Sequence, residues 1–336
     1  MQVPSAPMDE LQRLISIPTI WDDLASVEER LLEAATADDP YLTKIAQHLL
    51  LAGGKRFRPL LALMAAEFGP TRGKKAIEAG VAAELIHVGS LYHDDVIDEA
   101  DTRRGAASVN ANWTNTVAIL AGDFLMARAS EVAATHLSQE SVRLLAATYA
   151  ELVEGQTREL QLAGDMSHTI EDYHQVIGGK TASLIRTSAR LGAMATDAPE
   201  ESVAALSDWA WEVGMVFQIA DDALDLVADE ETIGKPAGSD IHEGTFTAPV
   251  LMAASGPSGA RVRELLGRAK PYSDADVAEV IDLVRTGGYI ELSLEEAERR
   301  LDVASSALRS LPDNHARSIL ETLGQYLLQQ VELARS

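Results

Sequence analysis

The sequence predicts an all-α protein that forms one large helical bundle, and three observations support this fold class. Apolar residues recur at helical spacing along most of the 336 residues, and we find no convincing alternation of the kind that marks a β-strand. Hydrophobic residues make up 46% of the chain and aromatic residues only 5%, which favours packed helices over a β-sandwich. Glycine and proline fall mainly between the helical patterns. We therefore expect more than four helices around one core.

All 336 residues are expected to belong to this single domain. N-terminal helices are predicted over 9–50, a core that contains the motifs over about 51–255, and C-terminal helices over 256–336. No segment has the length of apolar sequence that a membrane helix needs, and the first residues do not resemble a signal peptide.

The charge and the missing cysteines exclude several classes of partner and site. A formal net charge of −24 argues against nucleic acid, although most of this acidity is expected to be solvated surface. The absence of cysteine excludes disulfides and thiolate metal sites and fits a reducing cytoplasm. Any anionic ligand would need metal ions and well-placed lysine or arginine residues.

Two predicted helices, 78–93 and 213–227, are apolar on nearly every face. A helix of this kind normally lies at the centre of a bundle. Each ends in a DDxxD cluster, so that its first and last aspartates lie one turn apart on the same face. The clusters are Asp94, Asp95 and Asp98, and Asp221, Asp222 and Asp225.

Closely spaced carboxylates repel each other and need cations nearby. Oxygen ligands with room for water suit Mg²⁺, which binds one or two carboxylates together with substrate phosphates. A single DDxxD among 52 acidic residues is weak evidence for a site. Two such clusters at the ends of apolar helices are hard to explain as surface, because burying an unpaired carboxylate is costly.

Basic residues follow glycine turns at several points of the core. The segment 53–59 reads GGKRFRP, Arg103 and Arg104 follow the first cluster, and Lys180 follows a glycine pair. Glycine lets the backbone approach an anion, and guanidinium groups bind phosphate oxygens in pairs. Each segment alone is typical of an exposed turn. Together with the two aspartate clusters they indicate two diphosphate sites, one with metal and one without.

The motifs together resemble the polyprenyl synthetase family, the trans-isoprenyl diphosphate synthases. The matching stretches are GGKRFRP, ELIHVGSLYHDDVIDEADTRRG, GGKTASLI, FQIADDALD and IGKPAGSDIHEG. They occur in the family's order and span about residues 53–249, most of the chain. This set of motifs is highly specific.

The resemblance implies a role for each matching position. Mg²⁺ on the allylic diphosphate would be bound by Asp94, Asp95, Asp98, Asp221 and Asp225. Asp222 and Lys180 would also belong to the catalytic centre. Isopentenyl diphosphate would be bound by Gly54, Lys55, Arg58, His87 and Arg104. The allylic diphosphate would be bound by Arg103, Lys180, Thr181, Gln218 and Lys235.

These roles imply prenyl transfer to isopentenyl diphosphate. Mg²⁺ and the cations would stabilise the departing diphosphate, and the double bond of isopentenyl diphosphate would attack the allylic cation. A class I terpene cyclase would share the aspartates but would not need GGKRFR. A subunit of a heteromeric synthase is a further alternative, although non-catalytic subunits lose these motifs. Members of the family are usually homodimers, which is the expected state here.

Small residues before the first cluster predict a long product. Ser90 and Gly89 lie four and five positions before Asp94, and Ile86 lies deeper on the same helix. A large aromatic residue there would close the floor of the tunnel, so we expect a product of about six to ten isoprene units, suited to a quinone side chain. The alternative is that Gly89 only permits close helix packing and that Phe124 or Met126 closes the tunnel. A short-chain product would then follow.

One position departs from the family pattern. Many members have lysine after the EG of this segment, whereas this chain has Thr245 after Glu243 and Gly244. Threonine cannot supply that positive charge, so this part of the expected lid contact is missing here.

Overall fold

Helices form nearly all of the regular secondary structure in the computed structural model, which describes residues 8–71, 73–227, 237–268 and 270–335. In chain order they are α1 (Met8–Leu14), α2 (Pro18–Ala34), α3 (Pro40–Ala46), α4 (His48–Leu51), α5 (Phe57–Ala66), α6 (Lys74–Ile97), α7 (Val109–Asn112), α8 (Asn115–His136), α9 (Gln139–Leu162), α10 (Ile170–Ile177), α11 (Ser183–Ala195), α12 (Glu200–Val227), α13 (Ser239–Glu243), α14 (Ala248–Ser255), α15 (Gly259–Leu266), α16 (Asp274–Thr286), α17 (Tyr289–Leu308) and α18 (His315–Arg335). The all-α prediction is confirmed.

Two short strands, β1 (Thr102–Arg103) and β2 (Ala106–Ala107), form a hairpin directly after α6. They pair antiparallel, with Arg103 opposite Ala106. The turn between them places Arg104 and Gly105 at positive φ, 54° and 74°. This hairpin turns Arg103 back toward Asp95 near the end of α6, while Arg104 reaches Glu84 in the middle of that helix.

The two predicted central helices lie at the centre of the described structure. Helix α6 packs against α8, α5, α11 and α2, and α12 packs against α17, α11 and α18. Because α6 has neighbours on several sides, its Ala79, Val81, Ala82 and Ala83 are all completely buried. The apolar faces seen in the sequence therefore correspond to this enclosure.

Helices α6 and α8 approach each other closely through a pair of glycines. A Cβ atom on Gly89 would lie 3.1 Å from the carbonyl oxygen of Gly122 and 3.0 Å from Cε of Met126. A Cβ atom on Gly122 would in turn lie 3.0 Å from the carbonyl oxygen of Gly89. Since backbone atoms cannot move aside like side chains, Gly89 is needed for this packing.

The first aspartate cluster lies at the C-terminal end of its helix. Helix α6 ends at Ile97 with Asp98 as its C-cap, and α12 is described as far as Val227, two residues after Asp225. The C-terminus of a helix has a partial negative charge, so carboxylates there are unfavourable unless a cation is present. This position strengthens the interpretation of the first cluster as a cation-binding group.

In the described part of the chain, no helix combines the length and apolar character needed to cross a membrane.

Candidate active site

A cavity opens between the ends of α6 and α12 and contains about 790 Å³ of empty space, part of it open to solvent. Side chains from both aspartate clusters line it, since Asp98 belongs to the first and Asp222 to the second. Lys180, Thr181 and Gln218 also line it. Three of the five predicted allylic diphosphate residues thus meet at one place.

Asp94 lies at the buried end of this arrangement. Burial raises its pKa to about 6, because Lys180 and Arg103 only partly offset the desolvation and Asp98 adds repulsion. Asp98 itself is exposed and lines the cavity. The first and last aspartates of the first cluster both lie near enough to Lys180 for their charges to raise its pKa, as expected for side chains one turn apart on the same face.

Asp95, the middle residue of the first cluster, has a different environment. It is completely buried and accepts a hydrogen bond from Nε of Arg103 at 2.6 Å. Burial raises the pKa of Asp95, while Arg103 acts in the opposite direction. In this arrangement Asp95 orients Arg103, and the roles of both residues as direct ligands stay predictions.

Asp222, the middle residue of the second cluster, is also buried among hydrogen-bond donors. The Tyr173 hydroxyl donates to it at 2.6 Å and the Gln218 amide at 2.8 Å. Gln218 accepts a hydrogen bond from the Thr181 hydroxyl at 2.8 Å. Burial raises the pKa of Asp222 to about 7 despite these donors. This chain of bonds connects the π-helical segment described below to α12.

Asp225 is bound by the residues that begin α13. The Ser239 hydroxyl donates to its carboxylate at 2.7 Å. Asp240 lies beside it, and burial together with Asp225, Asp222 and Asp221 raises the pKa of Asp240 well above its usual value. A fourth carboxylate thus joins the second cluster.

Lys180 is positioned by a π-helical turn, Gly178–Ala182, which joins α10 to α11. The glycine pair lies inside this turn, and the helical backbone runs through it. A Cβ on Gly155 of α9 would lie only 2.7 Å from the Lys180 amide nitrogen, so α9 and the turn touch backbone to backbone. Such π turns are frequent at functional sites.

The Lys180 ammonium forms an ion pair with Glu159, which also lines the cavity. Burial alone would lower the pKa of Lys180, but Glu159 and Asp94 outweigh burial and the pKa is raised. Lys180 is therefore a charged group at neutral pH and lies near Asp94 and Asp98 of the first cluster.

A second group of cations surrounds the start of α5. Arg56 is buried with a left-handed backbone, φ 47°, which is costly for a residue other than glycine. Its guanidinium donates twice to Glu28, at 2.5 and 2.9 Å, and once to Glu84 at 3.1 Å. These bonds satisfy the guanidinium internally, so Arg56 supports the site.

The predicted isopentenyl diphosphate residues lie together around Glu84. Arg104 is 3.8 Å from Glu84, and its guanidinium also donates to the carbonyl of Leu49 at 3.1 Å. A Cβ on Gly54 would lie 3.0 Å from the Arg104 guanidinium, so this position requires glycine.

Arg58 and His87 belong to the same group. Nε of Arg58 is buried without a hydrogen-bond partner within the described ranges. Burial lowers the pKa of Arg58 to about 10, with Glu84 opposing. Burial, followed by Arg58 and Arg104, lowers the pKa of His87 well below 6.5. Lys55 has a pKa lowered by burial against the attraction of Asp221. Such crowded cations favour an anion.

The cavity residues fit Mg²⁺ that enters together with a diphosphate. Where the chain is described, no three His, Cys, Asp or Glu side chains form a preassembled metal site. Five carboxylates nevertheless line the cavity: Asp98, Glu159, Asp222, Asp240 and Glu243. Mg²⁺ needs few protein ligands when phosphate oxygens and water complete its coordination.

Lys235 lies outside the described residues. The predicted tunnel floor (Gly89, Ser90 and Ile86) is not among the residues that line the cavity. The Ser90 hydroxyl donates to the carbonyl of His87 at 2.8 Å, and Ile86 is buried. Gly89 contacts Met126, as the alternative based on close packing requires, and its role in product length stays a prediction.

Residues that sequence reasoning missed include Glu28, Glu84, Glu159, Tyr173 and Asp240. Glu84 lies within a recognised motif, three residues before His87, and Asp240 lies in the segment that precedes Thr245. Their positions inside those motifs were a usable signal. Glu28, Glu159 and Tyr173 had no local pattern to distinguish them.

Comparison with known proteins agrees with this site. A family model described as Polyprenyl synthetase matches residues 39–284. Heptaprenyl diphosphate synthase component 2 of Geobacillus stearothermophilus is 42% identical over 91% of this chain and 95% of its own length. Nonaprenyl diphosphate synthase of Mycobacterium tuberculosis is 41% identical over 91% of this chain and 92% of its own length.

A solved structure supports the same relationship. The decaprenyl diphosphate synthase from Rhodobacter capsulatus superposes with a TM-score of 0.87 at 32% identity, covering 97% of this chain and 99% of that one. The family match spans well over half of the chain, and the similarity extends through both aspartate clusters. This chain therefore belongs to the polyprenyl synthetase family and is a prenyltransferase.

Proposed function

We propose that this enzyme condenses isopentenyl diphosphate with an allylic diphosphate and builds a medium- to long-chain all-trans polyprenyl diphosphate. The observation that supports this most strongly is the meeting of both aspartate clusters at one cavity, next to Lys180. A separate group of cations around Glu84 supports a second, metal-free diphosphate site. Two adjacent diphosphate sites are what a condensation of two diphosphates requires.

The chain's own residues divide into two groups in this proposal. Lys55, Arg58 and Arg104 bind isopentenyl diphosphate, with neutral His87 as a hydrogen-bond partner. Lys180 and Thr181 bind the allylic diphosphate, with Gln218 fixed between Thr181 and Asp222. The buried apolar cores of α6 and α12 exclude water, which would otherwise react with an allylic cation.

Mg²⁺ is the proposed cofactor, and its ligands would be Asp94, Asp98, Asp221 and Asp225. When bound, it would supply the Lewis acidity that offsets negative charge on the leaving diphosphate. Asp95 and Asp222, whose carboxylates already accept hydrogen bonds, act as positioning residues for Arg103 and for Tyr173 and Gln218. The proton lost after condensation is proposed to go to the released diphosphate.

The proposed product has about six to ten isoprene units and serves as a quinone side chain. Support comes from the small residues before Asp94 and from relatives that bear the names of heptaprenyl and nonaprenyl diphosphate synthases. The close contact between Gly89 and Met126 identifies Met126 as the side chain that would limit the product if the floor is formed from α8.

A product assay tests this function. The purified protein is incubated with Mg²⁺, isopentenyl diphosphate and, separately, geranyl, farnesyl and geranylgeranyl diphosphates, and the products are sized by mass spectrometry. A ladder that reaches six isoprene units or more supports the proposal. A stop at three or four units keeps the enzyme class and replaces the long product with a short one. No elongation would point to a required partner subunit.

We also propose that the enzyme is a cytoplasmic homodimer. Exposed apolar side chains lie on neighbouring helices α8 and α9, with Ile119 43%, Leu120 59% and Val153 49% exposed. A second copy covering this face would bury them, and paired symmetric subunits are common. Light scattering of the wild type and of Leu120→Glu tests the proposal, which predicts a dimer that the charged variant weakens.

A further inference from the structure

The turn after α13 forms one side of the cavity and contains the position where the family pattern expects lysine. Gly244 ends α13 with a left-handed backbone, φ 80°. The amide of Thr245 donates to the carbonyl of Asp240 at 2.8 Å. Glu243, Gly244 and Thr245 all line the cavity. Because a threonine hydroxyl is uncharged, position 245 provides no cation there.

The charges around the cavity make the lack of a cation at position 245 important. Five carboxylates line it, and Lys180 is the one lysine or arginine among the lining residues that the structure describes. Lys180 is already paired with Glu159. A diphosphate at this side of the cavity would therefore face mainly negative side chains unless another cation reached it.

Lys270 brings a positive charge to the same turn from a distant part of the sequence. It lies between α15 and α16, and its ammonium donates to the carbonyl of Glu243. A Cβ on Gly244 would overlap Cε and Nζ of Lys270, so the ammonium lies directly against this glycine. Lys270 is exposed, and its flexible four-carbon side chain can turn toward a ligand without repacking the core.

We propose that Lys270 binds the diphosphate of the allylic substrate at this rim and supplies the charge that Thr245 lacks. This inference rests on the proposed function, because it concerns the same diphosphate. A purely structural role is the competing explanation, since a lysine near the C-terminus of a helix can bind its last carbonyls. In that role Lys270 would stabilise the turn of α13 without changing the affinity for diphosphate.

Three variants separate these explanations: Lys270→Ala, Lys270→Arg, and Thr245→Lys combined with Lys270→Ala. For each, steady-state kinetics give the KM for farnesyl diphosphate and for isopentenyl diphosphate separately. Calorimetry measures the binding of inorganic pyrophosphate with Mg²⁺. We expect Lys270→Ala to raise the KM for farnesyl diphosphate and to weaken the binding of pyrophosphate, each by about three- to tenfold. This range corresponds to the loss of one partly screened ionic contact. The KM for isopentenyl diphosphate should stay within twofold.

The double variant is the decisive measurement. Lysine at position 245 should restore the KM for farnesyl diphosphate in the Lys270→Ala background, and Lys270→Arg should remain close to the wild type. Lys75→Ala removes an exposed lysine at the opposite end of α6 and is the matched control. Failure of Thr245→Lys to restore affinity, or unchanged affinity in Lys270→Ala, would overturn the inference. Absent prenyl transfer in the wild type would instead refute the proposed function, while the pyrophosphate titration would still test Lys270.

Discussion

Replacing Gly155 with alanine should reduce activity far more than stability. A Cβ there would lie 2.7 Å from the Lys180 amide nitrogen and 2.9 Å from the Gly179 carbonyl carbon. Ordinary contacts of a Cβ begin at 3.4 Å, so the π turn would have to move by about 0.7 Å. No change of side-chain rotamer can relieve this overlap, because both neighbours are backbone atoms.

The expected sizes of the two effects differ. A displacement of about 1 Å in a substrate-positioning group can cost about 100-fold in rate, so we expect kcat/KM to fall by about 10- to 100-fold. Overpacking costs roughly 1–3 kcal/mol, and the better helix propensity of alanine returns about 1 kcal/mol. The free energy of unfolding should thus fall by no more than about 2 kcal/mol.

The assay combines kcat/KM for the allylic substrate, at saturating isopentenyl diphosphate, with urea unfolding. Gly73→Ala is the control, since Gly73 has an extended backbone and a Cβ there would meet no atom within 4 Å. If Gly155→Ala kept its activity within twofold of the wild type, the proposed placement of Lys180 by this helix contact would be refuted.

Three further predictions concern the buried charges and the tunnel. Glu84→Gln should lower the free energy of unfolding by about 3 kcal/mol, and Glu28→Gln should lower it by clearly less. The reason is burial, because the Glu84 side chain is 2% exposed and that of Glu28 is 44% exposed. Equal losses of the two variants in urea unfolding would contradict this. Met126→Ala should lengthen the product by at least one isoprene unit in mass spectrometry if Met126 limits the tunnel, and an unchanged ladder would exclude that role. His87→Gln should remove a loss of stability in acid, since the folded pKa of His87 lies well below that of the unfolded chain. The unfolded state then binds the extra proton, so the free energy of unfolding of the wild type should fall as the pH drops below 6.5, by at most about 1.4 kcal/mol per pH unit from this residue. Equal losses in the wild type and in His87→Gln, measured by urea unfolding, would argue against it.

The sequence predicted the central helices and the two aspartate clusters because both depend on local spacing. An apolar helix that ends in DDxxD specifies which carboxylates share a face, and Asp94 and Asp98 indeed lie toward Lys180. It could not predict the environment of Asp95, because that depends on how the β1–β2 hairpin turns Arg103 back.

Other features depended on contacts between distant residues. The glycine pair at 178–179 lies in a π turn against Gly155 of α9, a contact that local sequence spacing could not reveal. Glu159 was one carboxylate among many in an acidic chain, and only the fold places it beside Lys180. Gly89 fits both an open tunnel floor and a helix contact from sequence alone, and the distance to Gly122 reveals the contact.

The most direct test of the central claim is the Mg²⁺ dependence of prenyl transfer in the wild type and in Asp94→Asn. Labelled isopentenyl diphosphate and farnesyl diphosphate are incubated with the enzyme while Mg²⁺ is titrated from an EDTA-treated start. For the wild type, we expect label in longer prenyl diphosphates only when Mg²⁺ is added. For Asp94→Asn, we expect a much higher Mg²⁺ requirement or no transfer. Transfer that continues in EDTA, or an Asp94→Asn variant that matches the wild type at every Mg²⁺ concentration, would contradict it.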